Sequence, residues 1–275
     1  VAVEVENLVD RKWMVSFHGC WSVGAFATTV LGGSIAHFVD PRENLIGVGI
    51  VSVLFFIPLS RYMLPPDLDN HKGDDKESAA KIPLFAKETA PLWWMGFGML
   101  GGLIAEGSAS DWGALLLRDD MGIGKGVNAS AYASFALAMI TARFLGDRAL
   151  DHFGPARLVR ICGYFGALGW GASIAIAVPL SESNPLIALI VINLGFVIAG
   201  LAIGPMFPAF ILAASAIPGI APSVSSARAF VIGLSGFFIG PSIIGFLAEG
   251  TSISMAMAFP ILALLVAGIL SRVIK

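Results

Sequence analysis

Long apolar stretches separated by short polar breaks make up most of this chain. A helix that crosses about 30 Å of hydrocarbon at 1.5 Å per residue needs about 20 mostly apolar residues. The pattern predicts eight such helices, at roughly 14–38, 45–64, 90–107, 129–145, 158–179, 185–214, 224–248 and 253–273. The fourth stretch is short and is expected to begin a few residues earlier. The sixth is too long for one straight span, and Pro205 and Pro208 predict a kink within it.

One break is long. Residues 65–87 are polar, mixed in charge and rich in turn formers, so they read as a solvated linker dividing two helices from six. Basic residues favour the cytoplasmic side of a membrane. Alternate breaks are basic. One side collects Arg11, Lys12, Arg61, Lys72, Lys76, Lys81, Lys87, Arg143, Arg148, Arg157, Arg160, Arg272 and Lys275, and the other only Arg42, Arg118 and Lys125. Both ends and the linker are therefore expected in the cytoplasm. A linker after only two helices is lopsided. With Val1 in place of an initiator Met, this leads to the expectation that four further helices precede the chain.

Composition narrows the class. Only 13% of residues are charged, about half the share of a soluble domain. The net charge of −2 and the lack of any basic run with interleaved aromatics argue against a nucleic-acid partner. Cys20 and Cys162 lie in apolar stretches with no metal-ligand spacing and are expected to be buried. Gly233-Leu234-Ser235-Gly236 matches the GxSG of intramembrane serine proteases, whose Ser needs a His on a later helix as base. The histidines are His18, His37, His71 and His152, all before Ser235, so no protease is expected. With no HExxH, Walker A or haem motif, neither an enzyme nor a metal or cofactor site is expected.

Ionisable and polar groups inside spans are the functional candidates, because placing charge in hydrocarbon is costly. Glu106 shares a helix face with Gly98 and Gly102 and is expected to point into the protein. With Ser110, Asp111 and Trp112 it makes a polar break toward the outer end of its helix. That break reads as a solute or proton site, or as an interfacial cap. Arg228 reads as a ligand for an anionic or hydroxyl-rich solute, or as a snorkelling side chain. Asn193 suits a helix–helix hydrogen bond as well as a ligand contact. His18 reads as a candidate proton-exchanging group, since His is the side chain suited to that role, or as a packing one. Trp93 and Trp94 fit an interfacial belt. The pairs Gly200/Gly204 and Gly236/Gly240 suit close helix packing or bending.

Residues 146–157, GDRALDHFGPAR, resemble the cytoplasmic loop signature of the major facilitator superfamily. The usual D-R-x-G-R-R core is stretched here, with Asp151 three residues before Gly154 and only Arg157 after it. The segments EGSASDW from Glu106, GLAIGPMFP from Gly200 and GFFIGPSIIG from Gly236 resemble a bacterial inner-membrane branch related to fucose-permease-like transporters. HGCWSVG from His18 is similar to that branch's fifth helix. The resemblance implies an all-α polytopic membrane protein of the major-facilitator fold, with helices 5–12 of 12 present. Residues 1–64 would be the remnant of the first half, 65–87 the central linker and 88–275 the second half. It implies that Gly146, Asp147, Arg148, Asp151, Gly154 and Arg157 form a cytoplasmic gating loop whose charges latch one helix against another. The implied function is secondary transport of a small solute by alternating access: proton-coupled import (symport) of a sugar-like or polar metabolite. Drug or metabolite efflux is the alternative, and a non-transporting receptor-like protein is the alternative of another class. A monomer in the bacterial inner membrane is expected.

Overall fold

The computed structural model describes residues 13–35, 39–62, 89–124 and 127–274. The linker expected at 65–87 lies outside the described residues, as do Arg11, Lys12 and Lys125. The described chain is helical, with no strand among the described residues. In order, the helices are α1 (Met14–Ile35), α2 (Pro41–Leu59), α3 (Ala90–Leu115), α4 (Ser130–Leu180), α5 (Pro185–Ile203), α6 (Met206–Ser215), α7 (Pro222–Leu234), α8 (Gly236–Gly250), α9 (Ile253–Ala256) and α10 (Ala258–Leu270).

Local chemistry sets the helix starts. Pro41, Pro185 and Pro222 stand in the first turns of α2, α5 and α7, where a missing N–H costs nothing. The Asp40 carboxylate accepts from Arg42 N at 2.9 Å, and Ser252 Oγ accepts from Met255 N at 3.2 Å. Both satisfy amides that have no partner within the helix. At the other end of α3 a π-helical turn, Leu116–Asp120, brings Asp120 onto Ser254 N at 2.7 Å. This ties the C-terminal end of α3 to the start of α9.

Three of the expected spans are broken. The stretch 185–214 is α5 and α6, divided at Gly204-Pro205, and α7 and α8 meet at Ser235. Short α9 leads into α10. The reverse holds for the stretch 146–157, expected as a loop. Helix runs through most of it, and the fourth and fifth spans are two helices that meet at a kink where Gly154 adopts φ 71°. Ala149, Leu150, Asp151 and His152 carry helix through, and the turn needs only one residue in the left-handed region, where Gly is at no disadvantage. Taken as long rods, the helices form the eight expected crossings. Five stretches, 42–62, 127–180, 185–215, 222–250 and 253–273, are long and apolar enough to span by composition alone, and the second contains two crossings. α1 and α3 also have the length to span.

α3 is central, packing on α4, α6, α7, α8 and α10. α4 packs on α5, α10 and α1. Trp170, Phe135, Phe196 and Phe210 are the largest fully buried side chains. Small residues let these rods approach, since packing rather than the hydrophobic effect holds helices together in lipid. Gly163 of α4 crosses Gly268 of α10 so closely that a Cβ at Gly163 would stand 2.6 Å from the Gly268 amide nitrogen. Gly236 meets α3 in the same way, at the Leu100 carbonyl. α2 differs: its apolar side chains are exposed, standing apart from this core. Cys162 is buried as expected, but Cys20 is exposed. The correction follows from facing: Cys20 lies on a side of α1 that no described helix covers, between buried Gly19 and Ser22 and exposed Trp21.

Candidate functional site

Glu106 stands 16 residues past the start of α3, about 24 Å along the helix axis. It is 5% exposed, and its carboxylate faces Arg143, which is 2% exposed. Arg143 Nη2 lies 3.2 Å from both carboxylate oxygens. The guanidinium also donates from Nη1 to Ser22 Oγ of α1. Its Nε reaches the Gly204 carbonyl at the α5–α6 break, at 3.4 Å. Ser22 Oγ spends its own proton on the His18 carbonyl at 2.9 Å, leaving its lone pairs to accept. A buried ion pair survives only when such bonds satisfy the remaining groups, and here four helix segments supply them.

This correction matters most for the site. Arg143 was counted among the basic residues of a cytoplasmic break, yet it lies inside α4 and is buried. It escaped notice because Arg148, Arg157 and Arg160 follow it closely. The signal was present, since an Arg within the apolar stretch 129–145 meets the same cost that singled out Glu106.

The pair lines a cavity of about 450 Å³ that Phe17, His18 and Trp21 of α1, Phe207 of α6 and Phe230 of α7 also wall. The volume falls in the range of small-molecule sites. The rings are ordered: His18 and Phe207 centroids lie 5.3 Å apart and Phe207 and Phe230 5.8 Å. The Arg143 guanidinium carbon sits 5.7 Å from the centre of the Trp21 ring, a cation–π distance. The cavity thus combines an acceptor and a donor side by side with aromatic faces.

The other candidates are dispersed. Ser110 Oγ donates to the Glu106 carbonyl at 2.9 Å, a bond along its own helix. Asp111 is exposed. Trp112 packs by Gly245 of α8, with its indole Nε1 buried and unbonded among the described residues. Asn193 joins α5 to α4: Ser134 Oγ donates to its Oδ1 at 2.8 Å, and its Nδ2 donates to Ser130 Oγ at 3.1 Å. Arg228 lines a separate cavity of about 320 Å³ with Thr89 and Trp93, at the starts of α3 and α7. Of the candidates, the Glu106 cavity takes in only His18 as a second member.

The signature residues divide likewise. Asp147 is half-buried and caps the start of α1, accepting from Val15 N at 3.0 Å, from Ser16 N at 3.1 Å and from Ser16 Oγ. A carboxylate on these amides also opposes the positive end of the helix dipole. Gly146 leaves the room that Val15 occupies. Arg148, Asp151 and Arg157 are exposed, and Gly154 makes the bend.

Helices of membrane-crossing length around a solute-sized cavity with a buried charge pair define a polytopic membrane protein. The chain belongs to the major facilitator superfamily, whose sequence profile matches residues 11–238. It is 27% identical over 276 residues to an uncharacterised MFS-type transporter of Yersinia pestis, covering 99% of this chain and 66% of the relative. It is 27% identical to an uncharacterised transporter of Sinorhizobium fredii, covering 100% and 68%. It is also 27% identical to the membrane protein MosC of Rhizobium meliloti, covering 90% and 56%. The chain therefore spans about two thirds or less of the length of these relatives. Among solved structures, the transporter FucP in its outward conformation superposes with a TM-score of 0.63 at 15% identity, covering 95% of this chain and 67% of that one. That likeness is one of fold.

Proposed function

We propose that this chain is part of a secondary transporter that carries a small solute through the Glu106–Arg143 cavity by alternating access. The observation that carries this reading is a buried, bonded ion pair on the wall of a solute-sized cavity between helices of membrane-crossing length. Intramembrane charge is costly, and in transport proteins it marks a solute or ion path. We take import of a sugar-like or other polar ring metabolite as the first choice. The carboxylate accepts from one hydroxyl and the guanidinium beside it donates to the neighbouring one, while Trp21, Phe207 and Phe230 offer flat faces to the ring's C–H side. Glu106 is the proton carrier in this reading. Residues 88–275 act as the second half of the transporter and 1–64 as part of the first, joined by 65–87, with the basic side in the cytoplasm of the inner membrane. The predominantly aromatic wall also suits a more apolar solute, which favours efflux as the second reading.

The test uses the full-length protein in proteoliposomes under an inward pH gradient, exposed to a panel of neutral monosaccharides and cyclitols. The expected result is accumulation of one member, abolished by a protonophore and by Glu106→Gln. Flux indifferent to the protonophore would remove the proton coupling. No flux across the panel, with export of an aromatic metabolite instead, would install the efflux reading.

A further inference from the structure

The cavity and the signature segment meet on one helix face. Arg143, Gly146 and Asp147 stand at i, i+3 and i+4 on α4, one above the other. All three meet α1: Asp147 at the Val15 and Ser16 amides, Gly146 at the Val15 side chain, and Arg143 at Ser22. α1 packs chiefly on α4, with a smaller contact on α6. Its hold on the six-helix part therefore has two polar anchors, Asp147 at its end and Arg143 further in. The inner anchor is shared, because Arg143 also holds Glu106.

We propose that Arg143 is a positioning residue through which the charge on the cavity carboxylate Glu106 sets the docking of α1 on α4. With Glu106 ionised, Arg143 is neutralised and fixed, and it presents Nη1 to Ser22. When Glu106 is neutralised, by a proton or by a solute that takes over its oxygens, Arg143 is left as a buried cation with only the Ser22 hydroxyl and the Gly204 carbonyl as acceptors. An uncompensated buried charge is strongly unfavourable, so the guanidinium moves toward the open cavity. Ser22 then loses its donor, and α1 loses its inner anchor while the Asp147 anchor stays. Occupancy of the cavity and separation of α1 from α4 thus become one event. The titratable and charged groups facing Glu106 are Arg143 and Tyr132 of α4 and His18 of α1. α6 carries no charge. Arg228 of α7 lines the second cavity, and Glu249 of α8 is exposed near that helix's end.

Val15 is fully buried against Gly146, so a cysteine there reports separation of the two helices. The experiment places Val15→Cys in the full-length protein with Cys20→Ser and Cys162→Ser, and measures its labelling by a hydrophilic maleimide in permeabilised membranes. Glu106→Gln is expected to speed labelling about 5- to 150-fold, the range of a coupling between two sites. Arg143→Met removes the donor to Ser22 and is expected to speed labelling as well, and adding Glu106→Gln to it is expected to speed labelling no further, because the charge acts through Arg143. A structural role for either side chain would instead make the losses add. Ser22→Ala, which strands no charge, is expected to speed labelling as well, and it serves if Glu106→Gln does not fold. Slow labelling of Glu106→Gln or of Ser22→Ala overturns the proposal, as does a further rise in labelling when Glu106→Gln is added to Arg143→Met. No solute enters the measurement, so its failure leaves the transport reading standing, and absence of flux leaves the coupling standing.

Discussion

Replacing Arg143 by Met tests how much the buried pair holds the fold together. Met nearly matches the length of the side chain and keeps its apolar stem, so packing changes little. What changes is the environment of Glu106: its carboxylate, 5% exposed, loses both of its 3.2 Å contacts. Ser22 and the Gly204 carbonyl lose a donor at the same time. Removing one member of a buried pair costs about 3–5 kcal/mol, whereas removing both is often neutral or stabilising. At about 2–4 °C per kcal/mol for a domain of this size, the apparent Tm should fall by roughly 6–20 °C. The assay is thermal unfolding of the full-length protein in lipid nanodiscs, run on the parent, Arg143→Met, Glu106→Gln and the double variant. Each single variant is expected to melt well below the parent, and the double variant above either single one. A Tm for Arg143→Met within about 2 °C of the parent would mean that the pair is worth less than 1 kcal/mol, which is the worth of a solvated surface pair. The site would then be wet and the argument from burial wrong. A double variant that melts below both single variants, by the sum of their losses, would show that the two side chains act separately.

Two further outcomes follow from the helix contacts. Gly163→Ala places a methyl 2.6 Å from the Gly268 amide nitrogen and 3.0 Å from the Leu264 carbonyl, both backbone atoms that cannot step aside. It should cost about 1–3 kcal/mol as overpacking, while Gly47→Ala, with open space around it, should be neutral or slightly stabilising; equal Tm values for the two would refute this reading of the α4–α10 crossing. Asp147→Asn removes the carboxylate charge from the Val15 and Ser16 amides, bonds worth about 1.5–3 kcal/mol when charge-assisted. Hydrogen exchange at those two amides should accelerate, and unchanged exchange would show that α1 is held elsewhere.

How much of this was legible in the sequence depended on polarity. In a membrane, the side of a helix that faces lipid is as apolar as the side that faces protein, so a hydrophobic stretch marks a span without marking its facing. Only the rare polar residues and the glycines report which way a helix turns. Glu106 was found that way: a charge in line with Gly98 and Gly102 has to face inward, and Gly98 does pack on Phe210. Asp147 was found through its segment, although that segment is helix rather than loop. Asp, Gly and Pro close together read as a break, but only Gly154 leaves the helical region. The aromatic wall offered no such signal. Phe17 and Trp21 lie on α1, and Phe207 and Phe230 sit on two other helices. With 19 Phe and 6 Trp in the chain, nothing in their spacing separates a cavity wall from a lipid-facing ridge such as Phe238 or Phe246, both largely exposed. Tertiary packing alone decides that, by bringing α1, α6 and α7 around the pair. Arg143 belongs with Glu106 on the legible side, because its partner is fixed by necessity. A guanidinium that enters a spanning helix needs a counter-charge, and Glu106 is the one intramembrane carboxylate that the described residues place within its reach.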